Sequence, residues 1–248
     1  MDDAELLYHS AHILLPQMGI EGVERLRAAR VLLVGAGGLG TAAAVYLARS
    51  GIGRLTLADG DTVSRTNLPR QILYGEADVG MPKVTVAARA LAHCSPGQIE
   101  VIDERLEGGA LIEAVSAADL VCDASDNFAT RFALNAACVR KRVPLVSAAV
   151  IRFEGQLLVV DPQTPQAGCY HCLYGGETPD DAQRCAESGI LGPAAGTMGS
   201  LQALETVKMI TGMGEPLRQG LFVFDGLTLT MHTIRRRRDP ACPVCGPS

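Results

Sequence analysis

Through the first 150 residues, short apolar runs alternate with longer segments whose apolar positions recur at helical spacing. Val31-Leu32-Leu33-Val34 has the composition of a buried strand, and Gly35-Ala36-Gly37-Gly38-Leu39-Gly40 turns the chain out of it. The alanine-rich stretch 41–50 then predicts a helix whose small side chains suit close packing on a sheet. Further strands are predicted over 55–58, 99–102, 120–123 and 144–149, with helices over 80–92, 110–116 and 128–140 between them. Upstream, 5–15 and a second turn marked by Val23, Leu26 and Ala29 form a helical arm over 1–30. Strict alternation of this kind predicts an α/β fold with a doubly wound, mostly parallel, Rossmann-like sheet.

The pattern changes after residue 149. A strand is expected over 155–161, a mobile loop over 173–192, and a long helix over 194–213 opened by Pro193. The stretches 221–225 and 227–234 read as paired strands around Gly226, a C-terminal antiparallel extension. No internal repeat divides the chain, so 1–248 is expected to be one domain: the arm, a nucleotide-binding core over 31–150, and a last part over 151–248.

Ligands of open α/β sheets bind beyond the carboxyl ends of the strands. Three features fall there: the glycine turn, Asp59 at the end of the second strand, and Ser125-Asp126 after the fourth. Gly35 permits the tight turn, Gly37 lets backbone N–H groups approach a phosphate, and Gly40 allows close helix–strand contact. Asp59 lies about 20 residues beyond the glycines, where an acid accepts hydrogen bonds from ribose hydroxyls. A glycine-rich turn that binds nothing is the plainer alternative. The polar loop 60–71 is too long for a simple connector and carries Arg70; Lys83 opens the next helix. Singly these are a surface arginine and a solvated lysine. Two cations facing a triphosphate, with Asp126 to hold Mg²⁺, suit reaction at a phosphorus atom better than hydride transfer.

Composition narrows the partners and the compartment. The 248 residues carry a net charge of −5, with no basic excess to neutralise nucleic-acid phosphates. No apolar run is long enough to span a bilayer, and residues 1–10 lack the cationic start of a secretion leader. A cytoplasmic protein without a nucleic-acid or membrane partner is expected. Its eight cysteines are then not a disulfide framework. Cys169 and Cys172 form one C-x-x-C, Cys242 and Cys245 another, together a donor set for a closed, structural zinc site of four thiolates. Thioredoxin-like redox chemistry is the alternative, but Pro243 and Gly246 favour a knuckle turn. Cys94, Cys122 and Cys138 read as packing residues. The arginine run 235–238 reads as a solvated strand end, docking to an acidic partner being the weaker alternative.

The glycine string, Asp59-Gly60-Asp61-Thr62-Val63, Asn67-Leu68-Pro69-Arg70-Gln71, Gly80-Met81-Pro82-Lys83 and Ser125-Asp126-Asn127 together resemble the ThiF/MoeB/HesA adenylyltransferases. So do Cys185-Ala186-Glu187-Ser188-Gly189, Gly199-Ser200-Leu201-Gln202-Ala203-Leu204-Glu205 and the two cysteine pairs. The resemblance spans nearly the whole chain and is closest to the MoeB type or ThiF. It implies a homodimer that binds ATP·Mg²⁺ and a small ubiquitin-like sulfur-carrier protein ending in Gly-Gly. The carrier's terminal carboxylate attacks the α-phosphate, releasing pyrophosphate, in molybdopterin, thiamine or thio-natural-product biosynthesis. By motif, Gly38 and its neighbours contact the nucleotide and Asp59 holds the ribose. Asn67, Arg70 and Lys83 face the phosphates, Asp126 positions the metal, and Asp61, Gln71 and Asn127 complete the nucleotide-binding set. The carrier tail would thread past 173–192. Cys185 there would be either a covalent attachment point or an inert loop cysteine.

One departure stands out. The family's Arg-Tyr-Ser-Arg-His segment, whose second arginine reaches into the partner subunit's site, reads Tyr8-His9-Ser10-Ala11-His12 here. Ala11 therefore favours a competing reading, a weakened member that binds carrier and nucleotide. The missing arginine would otherwise come from a substitute cation or from a different subunit in a mixed dimer. An NAD(P)-dependent oxidoreductase, a third reading, rests only on the glycines and Asp59.

Overall fold

The computed structural model describes residues 1–175 and 189–246. Its strands are β1 (Arg30–Val34), β2 (Arg54–Ala58), β3 (Gln98–Ile102), β4 (Leu120–Asp123), β5 (Leu145–Ile151), β6 (Glu154–Val160), β7 (Gly220–Asp225) and β8 (Thr230–Arg235). They form one sheet in the order β3-β2-β1-β4-β5-β6-β7-β8. The first five run parallel. From β5 onward every pairing is antiparallel. The expected parallel sheet with an antiparallel extension is therefore what forms, and the chain reverses its winding direction between β1 and β4.

The described helices are α1 (Asp3–Tyr8), α2 (Ser10–Ile13), α3 (Gly19–Ala28), α4 (Gly38–Arg49), α5 (Lys83–Leu91), α6 (Gly108–Ala117), α7 (Phe128–Lys141), α8 (Tyr170–Tyr174) and α9 (Gly192–Thr211). Strand periodicity splits β1 between two cores. Val31 and Leu33 face α3, α4, α5 and α9, whereas Leu32 and Val34 face α6, α7 and α8. Small residues let α9 lie directly on α4: a Cβ at Gly199 would come 2.4 Å from the Leu39 carbonyl oxygen. Pro193 sits in the first turn of α9, and Gly212, at φ +76°, ends it in a left-handed cap.

Several boundaries differ from expectation for local reasons. The helix expected over 41–50 starts at Gly38, inside the glycine string, because Gly37 already serves as its cap. The arm's helix over 5–15 breaks at His9, whose buried ring packs on Gly51. The Tyr8 hydroxyl meanwhile donates to the Arg49 and Cys94 carbonyls. The arginine run is the clearest correction. Only Arg235 and Arg237 are solvated; Arg236 is buried and donates to the carbonyls of Gly220, Val159, Gly168 and Arg218. Cys122 and Cys138 are buried as expected, and Cys94 is half-buried. Most of the predicted loop 173–192, Cys185 included, lies outside the described residues. Its start is helical in α8.

Candidate functional site

A cleft opens where β1, β2 and β4 end side by side, the reversal point of the sheet. The glycine turn forms one wall. Gly35 has φ +96°, and a Cβ there would strike the Ala124 carbonyl at 2.6 Å, so β1 and the β4 end meet through bare backbone. Gly40 lies behind the wall, where its Cβ would sit 1.8 Å from the Gly35 oxygen. Gly37 and Gly38 line the cleft at the start of α4. The unpaired N–H groups and positive end of that helix therefore border the open space.

Asp59 and Asp61 line the next wall. Asp59 accepts from the Ala36 N–H at 2.7 Å and from the Asp61 N–H at 2.8 Å, which locks its carboxylate at the end of β2. Burial raises its pKa above the ordinary value, against the opposing pull of Lys83 and the two amides. A carboxylate offers about four acceptor sites, so sites remain for incoming hydroxyls. Lys83 is 5% exposed, with Nζ 2.8 Å from Asp61 and 4.0 Å from Asp59. It is the buried cation of a compact triad rather than a solvated helix residue.

Asn67, Arg70 and Gln71 come from the polar loop and line the same cleft. Arg70 donates to the Thr66 carbonyl at 3.1 Å and has no carboxylate within ion-pair distance among the described residues. Gln71 is buried beside Gly37, and its Oε1 has no partner among them. A buried amide with an unmet acceptor suits a cleft completed by a bound group. Asp126 is exposed at the mouth. The Asn127 Oδ1 is engaged in capping α7 through the Thr130 N–H at 2.9 Å, while its Nδ2 faces Asp126. Every predicted nucleotide-site residue except Gly40 thus lines one cleft, and Gly40 supports it.

Sequence reasoning missed two buried charges. Asp123, fully buried at the end of β4, accepts from the Ser125 N–H at 3.0 Å and from the Ser125 and Ser147 hydroxyls at 2.6 and 2.7 Å. Arg131 lines the cleft, is 8% exposed and donates to the Ser125 carbonyl. Burial works against its charge, and the groups around it, the negative Asp123 carboxylate foremost, more than offset that. Its spacing of four from Asn127, the α7 cap, was the available signal. Arg105 also lines the cleft, from the segment after β3.

On the α7 side of the sheet, Cys169, Cys172, Cys242 and Cys245 bring their sulfurs within 4.8 Å of one another. Cys169 and Cys242 are 3.8 Å apart, Cys172 and Cys245 3.4 Å. Zinc–sulfur bonds of about 2.3 Å put tetrahedral thiolates about 3.8 Å apart, so the donor set fits such an ion. Burial pushes the Cys242 thiol up, but the amides of Cys245 and Val244 and the thiols of Cys172 and Cys245 bring it down to about 7. An ion held by all four sulfurs would have no open position for catalysis. The two pairs join the C-terminal segment to the turn before α8.

The ThiF family model matches residues 9–244. The chain belongs to the ThiF family. It is 42% identical over 249 residues to the sulfur carrier protein ThiS adenylyltransferase of Escherichia coli (strain K12), covering 100% of this chain and 98% of that protein. It is also 42% identical over 250 residues to the molybdopterin-synthase adenylyltransferase of the same organism, covering 99% and 98%. Among solved structures, that of E. coli MccB with ATP superposes with a TM-score of 0.80 at 27% identity, over 92% of this chain and 70% of that one. This ThiF-family member is an adenylyltransferase. Among the described residues no helix is long and apolar enough to cross a membrane.

Proposed function

We propose that this adenylyltransferase activates the C-terminal carboxylate of a small ubiquitin-like sulfur-carrier protein ending in Gly-Gly, using ATP·Mg²⁺, as a cytoplasmic homodimer. The observation that carries this reading is the convergence of the α4 N-terminus, Lys83, Arg70 and Arg131 on one cleft at the strand ends. Asp59 takes the ribose hydroxyls on its remaining acceptor sites. The amides at Gly37 and Gly38, with Asn67, Arg70 and Lys83, hold the phosphates, and Gln71 closes the wall beside Gly37. Asp126, at the mouth and adjacent to Asn127, would hold magnesium, which neutralises phosphate charge. A carrier carboxylate oxygen then bonds to the α-phosphorus as the bond from that phosphorus to the bridging oxygen breaks, and pyrophosphate leaves with the electron pair. The attacking group is already an anion, so no general base is needed. The protein contributes alignment and fixed positive charge. The four cysteines would hold zinc as a staple. Cys185, outside the described residues, is proposed only as an attachment point for the carrier.

The test is pyrophosphate–ATP exchange dependent on a Gly-Gly-ending carrier. Exchange present with the carrier and lost on deleting its last two residues supports the reading. Exchange without ATP specificity, or none with any such carrier, sinks it.

Ala11 supports a second reading, a slow member of the family. It is exposed on α2 and offers no cation to a partner. If the family arginine is simply missing, Ala11→Arg raises carrier-dependent exchange by about 10³-fold or more. If Arg105 or Arg131 supplies the charge, the variant changes little.

A further inference from the structure

The nucleotide cleft and the cysteine cluster lie on one helix face. Asn127, Arg131 and Asn135 are spaced four apart on α7 and therefore stack along the same side. Asn127 and Arg131 line the cleft. Asn135, fully buried, reaches the cluster: its Nδ2 donates to the Cys169 sulfur at 3.5 Å, and its Oδ1 accepts the Tyr170 N–H at 3.0 Å. Tyr170 follows Cys169 in the chain, and its side chain is among the groups that act on the Arg131 guanidinium. Phe132 packs its ring edge-to-face on Tyr170 at 5.3 Å, so α8 cannot slide along α7 freely. Arg131 in turn holds the Ser125 carbonyl at the cleft wall. One face of α7 thus carries a residue bonded to a metal-donor sulfur and, one turn away, a residue bonded to the edge of the nucleotide site.

We propose that Asn135 is a positioning residue for the Cys169 thiolate and that, through the α7 face it shares with Arg131, it links metal retention to nucleotide binding. The inference rests on reading the cleft as a nucleotide site. A metal holding Cys169 fixes Asn135 and the Tyr170 backbone, and with them the α7 face that carries Arg131. A triphosphate beside Arg131 favours that same arrangement. Two ligands that prefer one arrangement of a shared element raise each other's affinity by equal factors.

The test uses the zinc-loaded, full-length protein. Zinc affinity is measured at equilibrium against a chromophoric chelator of known affinity, without nucleotide, with ATP, and with an equal concentration of CTP, which chelates zinc as ATP does. Calorimetry on the same sample records whether ATP binds. The expected result is zinc held about fivefold tighter with ATP than with CTP, the two nucleotides competing for the metal equally. Asn135→Asp keeps the acceptor for the Tyr170 N–H and removes the donor to Cys169. It should weaken zinc about 10- to 100-fold and bring the ATP effect close to one. Asn135→Ala, which adds no charge, should do the same. A wild-type ATP-to-CTP ratio of one with ATP bound overturns the linkage and leaves the nucleotide reading standing. No uptake of ATP overturns both. Variants that lose zinc affinity yet keep the fivefold ratio show a merely structural asparagine and overturn the route.

Discussion

The tightest backbone contact near the cleft is the one under Gly40, and Gly40→Ala tests how the glycine turn works. The new methyl carbon would lie 1.8 Å from the Gly35 oxygen and 3.5 Å from the Ala124 Cβ, against ordinary contacts of 3.4 Å or more. Relief requires α4 and the turn to separate by about 1.5 Å, since neither atom sits on a flexible side chain. Two effects oppose each other in stability. Alanine gains about 1 kcal/mol of helix propensity over glycine, while overpacking costs about 1–3 kcal/mol. The net is a loss of about 0–2 kcal/mol, or a fall in Tm of up to about 8 °C for a chain of this size. Function suffers more. The amides at the start of α4 move with the helix, and a misplacement near 1 Å costs about 10²-fold in rate. The assays are thermal unfolding and ATP–pyrophosphate exchange on one preparation. Exchange within threefold of wild type, with an unchanged or raised Tm, would refute the claim that close approach is what the glycine provides.

Three further outcomes follow from buried charge and the metal donors. Asp59 carries a pKa raised above 3.8 by burial, so its contribution to stability is greatest below its unfolded value and declines as pH rises through its folded value. Referenced to Asp59→Asn, wild type should lose ground across that window and then level off, read as the difference in Tm between the two across pH; a flat difference contradicts the buried, charged assignment. Arg236→Met leaves the Val159 and Gly220 carbonyls without their donor. It should destabilise by about 2–4 kcal/mol in urea unfolding, whereas a change below about 0.5 kcal/mol would mean the run is solvated after all. Cys242→Ser removes one of four donors, and metal analysis should fall from one zinc per chain to well below one, with a lower Tm. Full zinc content in that variant would exclude Cys242 as a ligand.

Much of this molecule is legible in one dimension because its determinants are local. Apolar runs broken by glycine encode β1 and its turn, Pro193 and Gly212 delimit α9, and C-x-x-C spacing pairs thiols before any folding. Asp59, Arg70, Lys83 and Asp126 could be gathered into one site because strand ends in a parallel sheet share an edge. What was not legible depends on contacts between distant segments. Arg236 reads as solvated among its neighbours, yet the carbonyls that bury it belong to β6, β7 and the turn before α8. Asp123 and Arg131 are an ordinary acid and base in sequence; the packing of β4, β5 and α7 buries both, Arg131 at the cleft wall and Asp123 behind it on Ser125 and Ser147. The contact of Asn135 with Cys169 joins residues 34 apart. Residue type and short spacing specify which groups can do chemistry. Their desolvation and partners arise only when long-range packing excludes water around them, and that packing decides which charges act.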